Sequence, residues 1–325
     1  MRWTGAPAGV GLSGVDATRI AEMFDLGAAA VLSPGPVAAG KQGKVWLLET
    51  TDGRWAVKVP DGRWDVDELV WTSAFQEAAH ACGVATPRIR RSVDGAVVTE
   101  IDGVQIRVYE WIDFRAPDAM IDPAALGSIL GRLHQVPVDE PGEVHWWYQQ
   151  PVGAPGWDEL VRDLRAAGAA FADDLAALRD ELVALESWLE PPAELRRCHR
   201  DLWADNVRAG ADERIYVIDW DNCGAADPAQ ELAYVLFEYG RTDPCRARAL
   251  ISAYEEAGGP GRIRKPGQFS MLIATLGHIN QLAARSWLQA APGSPERPDA
   301  EAWIRESLDD PHTRARLLEL LRTIS

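Results

Sequence analysis

The chain has 325 residues, of which 47% are hydrophobic and 25% charged, and its formal net charge is −16. This length allows two domains with separate cores, and the composition is ordinary for a globular protein. The excess of acidic residues lies mainly in residues 113–325 and argues against a nucleic-acid partner, which would need a basic surface.

Two further classes of protein are not indicated by the sequence. No stretch approaches the roughly 18 uninterrupted apolar residues of a membrane span, and residues 1–20 lack a signal-peptide pattern. The cysteines form no C-x-x-C pair, so neither a zinc site nor a disulfide framework is predicted. We therefore expect a cytoplasmic protein with no membrane partner. The oligomeric state cannot be read from the sequence.

The first predicted elements are a helix and a β-hairpin. Residues 15–27 have apolar positions at helical spacing and end in Gly27. The strand-like runs 45–50 and 55–59 flank the turn pair Asp52-Gly53, which is typical of a hairpin.

Two features of this hairpin can contribute to a phosphate site. Gly40 and Gly43 precede it and would let backbone N–H groups approach a phosphate, and Lys58 places a cation in the middle of a strand. Each feature alone has a simpler explanation, since a two-glycine loop is usually a plain turn and a strand lysine usually faces solvent. Their order along the chain favours the functional interpretation of both.

A helix predicted over residues 65–82 follows, and in a kinase this helix should present a glutamate to the strand lysine. Glu68 and Glu77 are the candidates; the sequence does not choose between them, and each lies about one helical turn from the position expected for the partner glutamate. A second hairpin pattern over residues 96–112 leads into helical sequence. The connector around residues 109–113 is where an adenine could pair with exposed backbone.

The rest of the chain is mainly helical by pattern. This predicts an α+β fold in which residues 1–112 form a small, β-rich, nucleotide-binding N-lobe with one helix. Residues 113–325 form a larger, mainly helical C-lobe that carries the catalytic loop, the metal site and the acceptor-binding region. The helical patterns cover residues 123–135, 157–189 (one or two helices), 231–239, 244–257, 266–288 and 300–324.

A central stretch carries the residues expected of a phosphoryl-transfer centre. Asp201 is placed to orient the attacking hydroxyl or accept its proton, while Asn206 and Asp219 offer oxygen ligands to magnesium. The apolar run 215–218 would hold Asp219 rigidly at a strand end. His199 and Arg200 are expected to support the loop rather than to react, and Asp221 has no single predicted role.

Asp and Asn are also common turn residues, so the H-x-D-x-x-x-x-N string alone could be a solvated loop without chemistry. The V-I-D-W-D segment after a strand, the Asp227-Pro228 helix start and the upstream Lys58 all agree with the catalytic interpretation.

The segments H-R-D-L-W-A-D-N, Y-V-I-D-W-D and G-A-A-D-P-A-Q-E-L-A resemble the catalytic loop, metal-binding segment and following helix of the aminoglycoside phosphotransferase family. That family is similar in fold to choline kinase and to protein kinases, and the resemblance covers about residues 30–290. It implies a two-lobed, protein-kinase-like fold with magnesium bound between the lobes.

The resemblance also implies roles for single residues. Asp201 would be the catalytic base, Asn206 and Asp219 the magnesium ligands, and Lys58 the lysine that contacts phosphate. The 40–43 loop would cover the nucleotide, and backbone near Glu110, Trp111 and Ile112 would meet the purine. Protein-kinase activity is not expected, because no F-G follows Asp219 and no A-P-E segment is present.

The acceptor is less clearly specified. Carboxylates in the second part of the chain would suit the ammonium groups of an aminoglycoside or amino sugar, and tryptophans can stack on a sugar or a cation, although packing is their commoner use. The acceptor-binding candidates are Asp158, Asp163, Asp205, Glu231, Glu238 and Trp287, with Glu159, His278, Gln281, Trp146, Trp147 and Trp157 as wider possibilities.

The sequence thus predicts an O-phosphotransferase that uses ATP or GTP with magnesium and acts on a small-molecule hydroxyl. Other acceptors stay open: a neutral sugar, a choline-like alcohol, a nucleoside or a natural product. A non-catalytic nucleotide-binding protein of the same fold and a hydrolase using Asp201 and His199 are alternatives of different classes.

Overall fold

The computed structural model describes residues 12, 16–40, 43–137 and 142–324. Lys41 and Gln42, inside the predicted glycine loop, lie outside the described residues. The chain divides into two compact units. The first comprises Met1–Asp118 with Ala204–Cys223, and the second comprises Ala119–Trp203 with Gly224–Ser325. The domain boundary predicted at residue 112 stays a prediction.

The first unit is built on an antiparallel sheet with the order β1-β3-β4-β7-β5, in which β2 also pairs with β3 and β6 with β7. A separate antiparallel pair, β9 and β10, belongs to the same unit. The strands are β1 Val31–Leu32, β2 Ala38–Gly40, β3 Gly43–Thr50, β4 Gly53–Pro60, β5 Ile89–Arg90, β6 Thr99–Ile101, β7 Val104–Glu110, β9 Val207–Ala209 and β10 Ile215–Val217.

The core of this unit lies against one face of the sheet. Alternate residues of the central strands are buried there, among them Leu48 of β3, Val57 of β4 and Val108 of β7. Helix α1 (Ala17–Phe24) adds its apolar side to the same cluster. Because strand side chains alternate between faces, the residues next to Val57 and Val108 point to the other face of the sheet.

The described part of the first unit contains two α-helices, which corrects the N-lobe prediction of one helix, and each begins within two residues of a helical segment predicted from the sequence. Asp16 caps α1 by accepting a hydrogen bond from Thr18 N, and Asp65 caps α2 (Val66–Ala81) by accepting from Asp67 N and Glu68 N. These caps satisfy N–H groups that have no partner inside the helix.

The second unit is mainly helical, with a short antiparallel pair, β8 (Arg196–Cys198) and β11 (Gly224–Ala226). One of its cores is formed by α4, α5, α8 and α9, around residues such as Trp157, Phe171 and Ile304. Its helices are α3 Pro123–Leu133, α4 Ala154–Ala166, α5 Ala172–Glu186, α6 Pro228–Gly240, α7 Pro244–Glu256, α8 Ser270–Gln289, α9 Glu296–Asp309 and α10 Arg314–Ile324.

Two helical predictions are refined. The pattern over residues 157–189 resolves into two helices, α4 and α5. The pattern over residues 300–324 is not one helix, because α9 ends at Asp309 and α10 begins at Arg314. Pro311 lies in the break, where proline disfavours a continuous helix. None of the helices in the described ranges is long and apolar enough to cross a membrane.

Candidate active site

Two cations face each other on the side of the sheet opposite the apolar core. Lys58 of β4 and Arg107 of β7 are register partners in the antiparallel pair, so their side chains emerge on the same face. Their neighbours Val57, Val59 and Val108 are buried in the core on the other face. Two like charges at such close range need an anion between them.

That anion comes from the segment after β10. The backbone N–H of Val217 donates to Ala85 O (2.9 Å), and that of Ile218 donates to Asn206 O (2.9 Å). Asp219 follows with φ 58° in the left-handed region. Trp220 begins a short 3₁₀ turn and is 3% exposed, with its indole N–H donating to Thr86 Oγ1 (2.9 Å). The turn therefore has a fixed position.

The turn delivers two carboxylates to the two cations. Lys58 Nζ lies 2.8 Å from Asp219 Oδ1 and 2.7 Å from Asp221 Oδ2. Arg107 Nη1 lies 2.6 Å from the other oxygen, Asp221 Oδ1. Asp221 thus bridges the cross-strand cations, and its side chain is 8% exposed whereas that of Asp219 is 34% exposed.

The ionisation of these groups follows from their contacts. Burial by itself would raise the pKa of Asp221, but Lys58 and Arg107 outweigh it and lower that pKa below its usual value. Burial opposes the charge of Lys58, and the nearby Asp219 and Asp221 more than compensate, so its pKa is raised. Burial raises the pKa of Tyr109 to about 12. Lys58 and Asp221 are therefore both charged at neutral pH.

The expected glutamate partner of Lys58 is not found. Glu77 is exposed and pairs with Arg91 (2.8 Å), and Glu68 lies on the exposed side of α2. Among the described residues, the carboxylates paired with Lys58 are Asp219 and Asp221. Neither candidate therefore stands at Lys58, and that expectation is corrected.

The predicted catalytic loop begins in the second unit, after β8. The backbone N–H of Arg200 donates to the carboxylate of Glu231 on α6, and Arg200 has φ 67°. The other oxygen of Glu231 lies 2.7 Å from His134 Nε2, and His134 Nδ1 lies 2.8 Å from Tyr254 Oη. Both Glu231 and His134 are buried, so this network fixes the backbone just before Asp201.

The charge state of Glu231 suits this role. Burial would raise the pKa of Glu231, but the hydrogen bonds from His134 and from Arg200 N lower it. Cys198 adds a third buried donor atom, within 4.8 Å of those of His134 and Glu231. Both carboxylate oxygens of Glu231 are already hydrogen bonded, one to His134 and one to Arg200 N, so we interpret the cluster as a support for the loop rather than as a metal site.

Arg200 and His199 take supporting positions. The guanidinium of Arg200 lies 4.5 Å over the ring of Tyr148, and a Cβ on Gly224 would lie only 2.4 Å from it. Gly224 is therefore the residue that leaves room for Arg200. His199 is fully buried.

Along the loop, Asp201 is half-buried, Asp205 is exposed and Asn206 is half-buried. Burial raises the pKa of the Tyr234 phenol, and the nearby negative charge of Asp201 raises it further. The rings of Trp203 and Tyr234 are centred 4.4 Å apart. The packing boundary between the two units falls between Trp203 and Ala204.

The nucleotide-side candidates all lie in the first unit. In the connector after β7, Glu110 N donates to Arg88 O (2.8 Å) and Trp111 N donates to Arg54 O (3.2 Å). Ile112 N has no hydrogen bond among the described residues. In the glycine loop, a Cβ on Gly43 would lie 2.3 Å from Val59 O, whereas one on Gly40 would have no heavy atom of the described residues nearer than 4.0 Å.

The acceptor candidates are scattered. Asp158 pairs with Arg179 (2.8 Å), Asp163 with Arg162 (3.5 Å) and Glu238 with Arg241 (3.4 Å). Trp287 is 5% exposed and packs in the second unit's core. Trp287 is therefore a packing residue in this structure, and Glu231 supports the catalytic loop.

Arg107 was not assigned a role from the sequence, whereas Trp146, Trp147 and His278 were among the wider possibilities for acceptor binding. Arg107 looks like an ordinary strand arginine, and only its register with Lys58 shows its importance. An aromatic cluster of Trp146, Trp147 and His278 also emerges, with the two indole rings centred 4.9 and 5.1 Å from the imidazole. The adjacent pair Trp146-Trp147 can be recognised in the sequence, but its contact with His278 on α8 cannot.

Comparison with known proteins identifies a family and relatives of this chain. A model of the phosphotransferase enzyme family matches residues 35–265. A homoserine kinase of Bradyrhizobium sp. (strain ORS 278) is 28% identical over 305 residues, covering 87% of this chain and 88% of that protein.

Solved structures share the fold. A spectinomycin phosphotransferase, solved with ADP and spectinomycin, has a TM-score of 0.68 at 16% identity and covers 94% of this chain and 96% of its own. An ethanolamine kinase of Plasmodium vivax has a TM-score of 0.56 at 14% identity and covers 89% and 84%. With an antiparallel sheet in the N-terminal region and a mainly helical C-terminal part, the predicted α+β, two-lobed, protein-kinase-like fold is confirmed.

Proposed function

The chain belongs to the phosphotransferase enzyme family and is a small-molecule kinase with a hydroxyl acceptor, and from this premise we propose that it phosphorylates a small amino alcohol with ATP and magnesium. The observation that carries the proposal is Lys58 Nζ, held 2.8 Å from Asp219 and 2.7 Å from Asp221. A buried lysine beside a carboxylate at a strand end suits nucleotide phosphates together with a metal ion.

On the donor side, Lys58 would contact the nucleotide phosphates while Asp221 keeps its ammonium group in place. Ile112 N is a connector donor for which the described residues provide no hydrogen bond, while Glu110 N and Trp111 N are already used. We propose that Ile112 N pairs with the purine, and that Gly43, which approaches Val59 O closely, shapes the loop over the phosphates.

The donor set fits magnesium. Asp219 is 34% exposed and Asn206 is half-buried, and carboxylate and amide oxygens are the ligands that magnesium prefers. These two residues would hold the ion, which when bound supplies positive charge to the transferring phosphate. Lys58 occupies Asp219 Oδ1, so the other oxygen of Asp219 is the one offered to the ion.

On the acceptor side, Asp201 would orient the hydroxyl and accept its proton as the new O–P bond forms and the bond to the departing nucleoside diphosphate breaks. The network of Glu231 and His134 fixes the loop backbone before Asp201, so the carboxylate is presented from a rigid support.

The acceptor class is inferred from charge and from relatives. The net charge of −16 favours a cationic ligand, and Trp146, which is 40% exposed, offers an aromatic face next to Trp147 and His278. Relatives are named for homoserine and ethanolamine, each of which carries an ammonium group and a hydroxyl. Aminoglycosides and amino sugars share that chemistry in a larger molecule and are the second candidate, supported by the fold of the spectinomycin enzyme.

The test is nucleotide consumption with ATP and with GTP across homoserine, ethanolamine, choline, spectinomycin, glucosamine and glucose. We expect turnover with an amino alcohol and ATP, and no turnover with glucose. Asp201→Asn should lower kcat by about 10² to 10⁴ while nucleotide affinity stays within twofold. A normal rate in Asp201→Asn would contradict the proposed mechanism.

The non-catalytic alternative is tested by the same panel. A protein that bound Mg-ATP in a thermal-shift assay but turned over none of these acceptors would favour a regulatory role, and acceptor hydrolysis without nucleotide would favour a hydrolase. Preference for glucose over its amino analogue would overturn the assignment of a cationic acceptor.

A further inference from the structure

We infer that Arg107 and Asp221 together position Lys58, in the role for which a glutamate of α2 was expected; the inference rests on the proposed function. Arg107 is not a group that would touch the substrate. It would act through Asp221, which in turn holds the ammonium group of Lys58.

The first step of the argument is the sheet register. Lys58 and Arg107 stand directly opposite each other on neighbouring strands, and like charges in that relation destabilise a sheet. The arrangement is stable only if an anion neutralises both cations. Asp221 does so with one oxygen on each: Oδ2 at 2.7 Å from Lys58 Nζ and Oδ1 at 2.6 Å from Arg107 Nη1.

The second step is the burial of this bridge. The side chain of Arg107 is 0% exposed and that of Asp221 is 8% exposed. Charge-assisted hydrogen bonds shielded from water keep a defined geometry. The more exposed contact between Lys58 and Asp219 does not have this shielding.

The third step is the anchoring of Arg107 itself. Its Nη2 donates to Ser73 Oγ on α2 (3.0 Å), and its guanidinium lies 5.1 Å from the ring centre of Tyr109 and 5.8 Å from that of Trp64. Thus α2 does contact this network, but through a serine hydroxyl and an arginine rather than through a glutamate paired with the lysine.

The fourth step separates the roles of the two carboxylates. If Asp219 turned toward a metal ion, its contact with Lys58 would be lost and Asp221 would be the carboxylate left at Lys58. Asp221 stays bound to Lys58 because Arg107 fixes its other oxygen. Lys58 can then release Asp219 and contact a phosphate without losing its position.

The test is direct measurement of nucleotide affinity and of steady-state kinetics in four variants: Arg107→Met, Arg107→Lys, Asp221→Asn and Arg107→Met with Asp221→Asn. We expect Arg107→Met to raise the Kd and KM for Mg-ATP about tenfold or more and to leave the KM of the acceptor within threefold. Arg107→Lys should recover a substantial part of the affinity. The double variant should resemble Asp221→Asn, because both changes remove the same support.

Controls separate positioning from folding. Arg91→Met removes an exposed arginine of the same unit, paired with Glu77, and should leave nucleotide Kd unchanged. If Arg107→Met does not fold, Ser73→Ala removes only the hydrogen bond to Arg107 and should raise the nucleotide Kd by a smaller factor at nearly unchanged Tm.

Three results would overturn the inference. The first is an Arg107→Met variant with a lower Tm but unchanged nucleotide Kd and KM. The second is a loss of affinity in Glu68→Gln or Glu77→Gln as large as that in Arg107→Met, and the third is additive effects in the double variant. A wild-type protein that bound neither ATP nor GTP would instead overturn the proposed function itself, and the inference with it.

Discussion

The backbone N–H of Arg200 donates a hydrogen bond to the buried carboxylate of Glu231, and Arg200 has φ 67° just before Asp201 in the chain. A left-handed backbone is uncommon for arginine. The buried carboxylate of Glu231 is hydrogen bonded to this N–H and to His134, and these bonds stabilise the left-handed conformation of Arg200.

The first prediction concerns this support. Glu231→Ala leaves the Arg200 N–H and His134 without their buried partner, and it should lower the free energy of unfolding by about 3 kcal/mol. It should also lower kcat more than it changes nucleotide Kd, because Glu231 holds the backbone of Arg200, next to Asp201. Urea unfolding and steady-state kinetics measure both effects. Glu194→Ala, which breaks the exposed pair with Arg196, is the control, and equal losses in the two variants would contradict the prediction.

The second prediction concerns the glycine loop. A Cβ at Gly43 would stand 2.3 Å from Val59 O, which is backbone and cannot rotate away, whereas the atom nearest to a Cβ at Gly40, within the part of the chain that is described, is 4.0 Å away. Gly43→Ala should therefore destabilise the protein by about 2 kcal/mol, while Gly40→Ala should leave stability nearly unchanged. Thermal unfolding of the two variants, measured side by side, gives the difference in Tm. An unchanged Tm in Gly43→Ala would contradict the prediction and show that β3 can shift without strain.

The third prediction concerns the proposed magnesium ligand. Asp219→Asn keeps the shape of the residue but weakens its affinity for a cation, so the magnesium concentration for half-maximal rate should rise and kcat should fall about a hundredfold or more. Lys58 keeps Asp221, so the fold should persist. Magnesium titrations of the rate measure this effect, and chelation by EDTA should stop wild-type turnover. Asp173→Asn, at an exposed carboxylate, is the control; an unchanged titration in Asp219→Asn would remove that residue from the site.

The fourth prediction concerns pH. Burial lowers the pKa of His312 to about 4, with Glu181 acting weakly in the opposite direction. The unfolded chain then binds a proton near pH 6.5 that the folded protein does not bind, so stability falls as the pH drops from about 6.5 to 4. This one group accounts for about 3 kcal/mol over that window.

Comparing wild type with His312→Gln isolates this contribution. Glutamine cannot be protonated, so the variant should lose less stability between pH 6.5 and pH 4.5 than the wild type does. Urea midpoints at several pH values measure the difference. Parallel pH curves for the two proteins would mean that His312 is protonated in the folded state.

Much of the fold follows from local patterns. The turn pair Asp52-Gly53 and the alternation around Val57 predict the hairpin of β3 and β4, which the structure confirms. The apolar run before Asp219 likewise predicts β10. These signals depend on neighbours in sequence, which is why they can be read without coordinates.

The partner of Lys58 could not be predicted in the same way. Which side of α2 faces the sheet depends on its packing, and the structure turns Ser73 inward and leaves Glu77 exposed. Arg107 becomes important only through the strand register that sets it opposite Lys58. Register between β4 and β7 is a property of the assembled sheet, so no local pattern reveals it.

The acceptor residues were hard to predict for a related reason. Trp287 and Trp146 both lie in the mainly helical second part of the chain, yet Trp287 packs in the core with Phe171 while Trp146 is 40% exposed. Composition alone does not separate these two environments. The comparison with known proteins also leaves the acceptor as a proposal.

The return of Ala204–Cys223 to the compact unit of Met1–Asp118 has a consequence for recombining this chain with its relatives. A chimera joined once, near residue 112, would take Lys58 and Arg107 from one parent and Asp219 and Asp221 from the other. Donor-side exchange therefore requires three crossovers, one close to residue 118 and two that flank residues 204–223. For the same reason, a fragment that ends at residue 118 would contain both cations of the bridge and neither of its carboxylates.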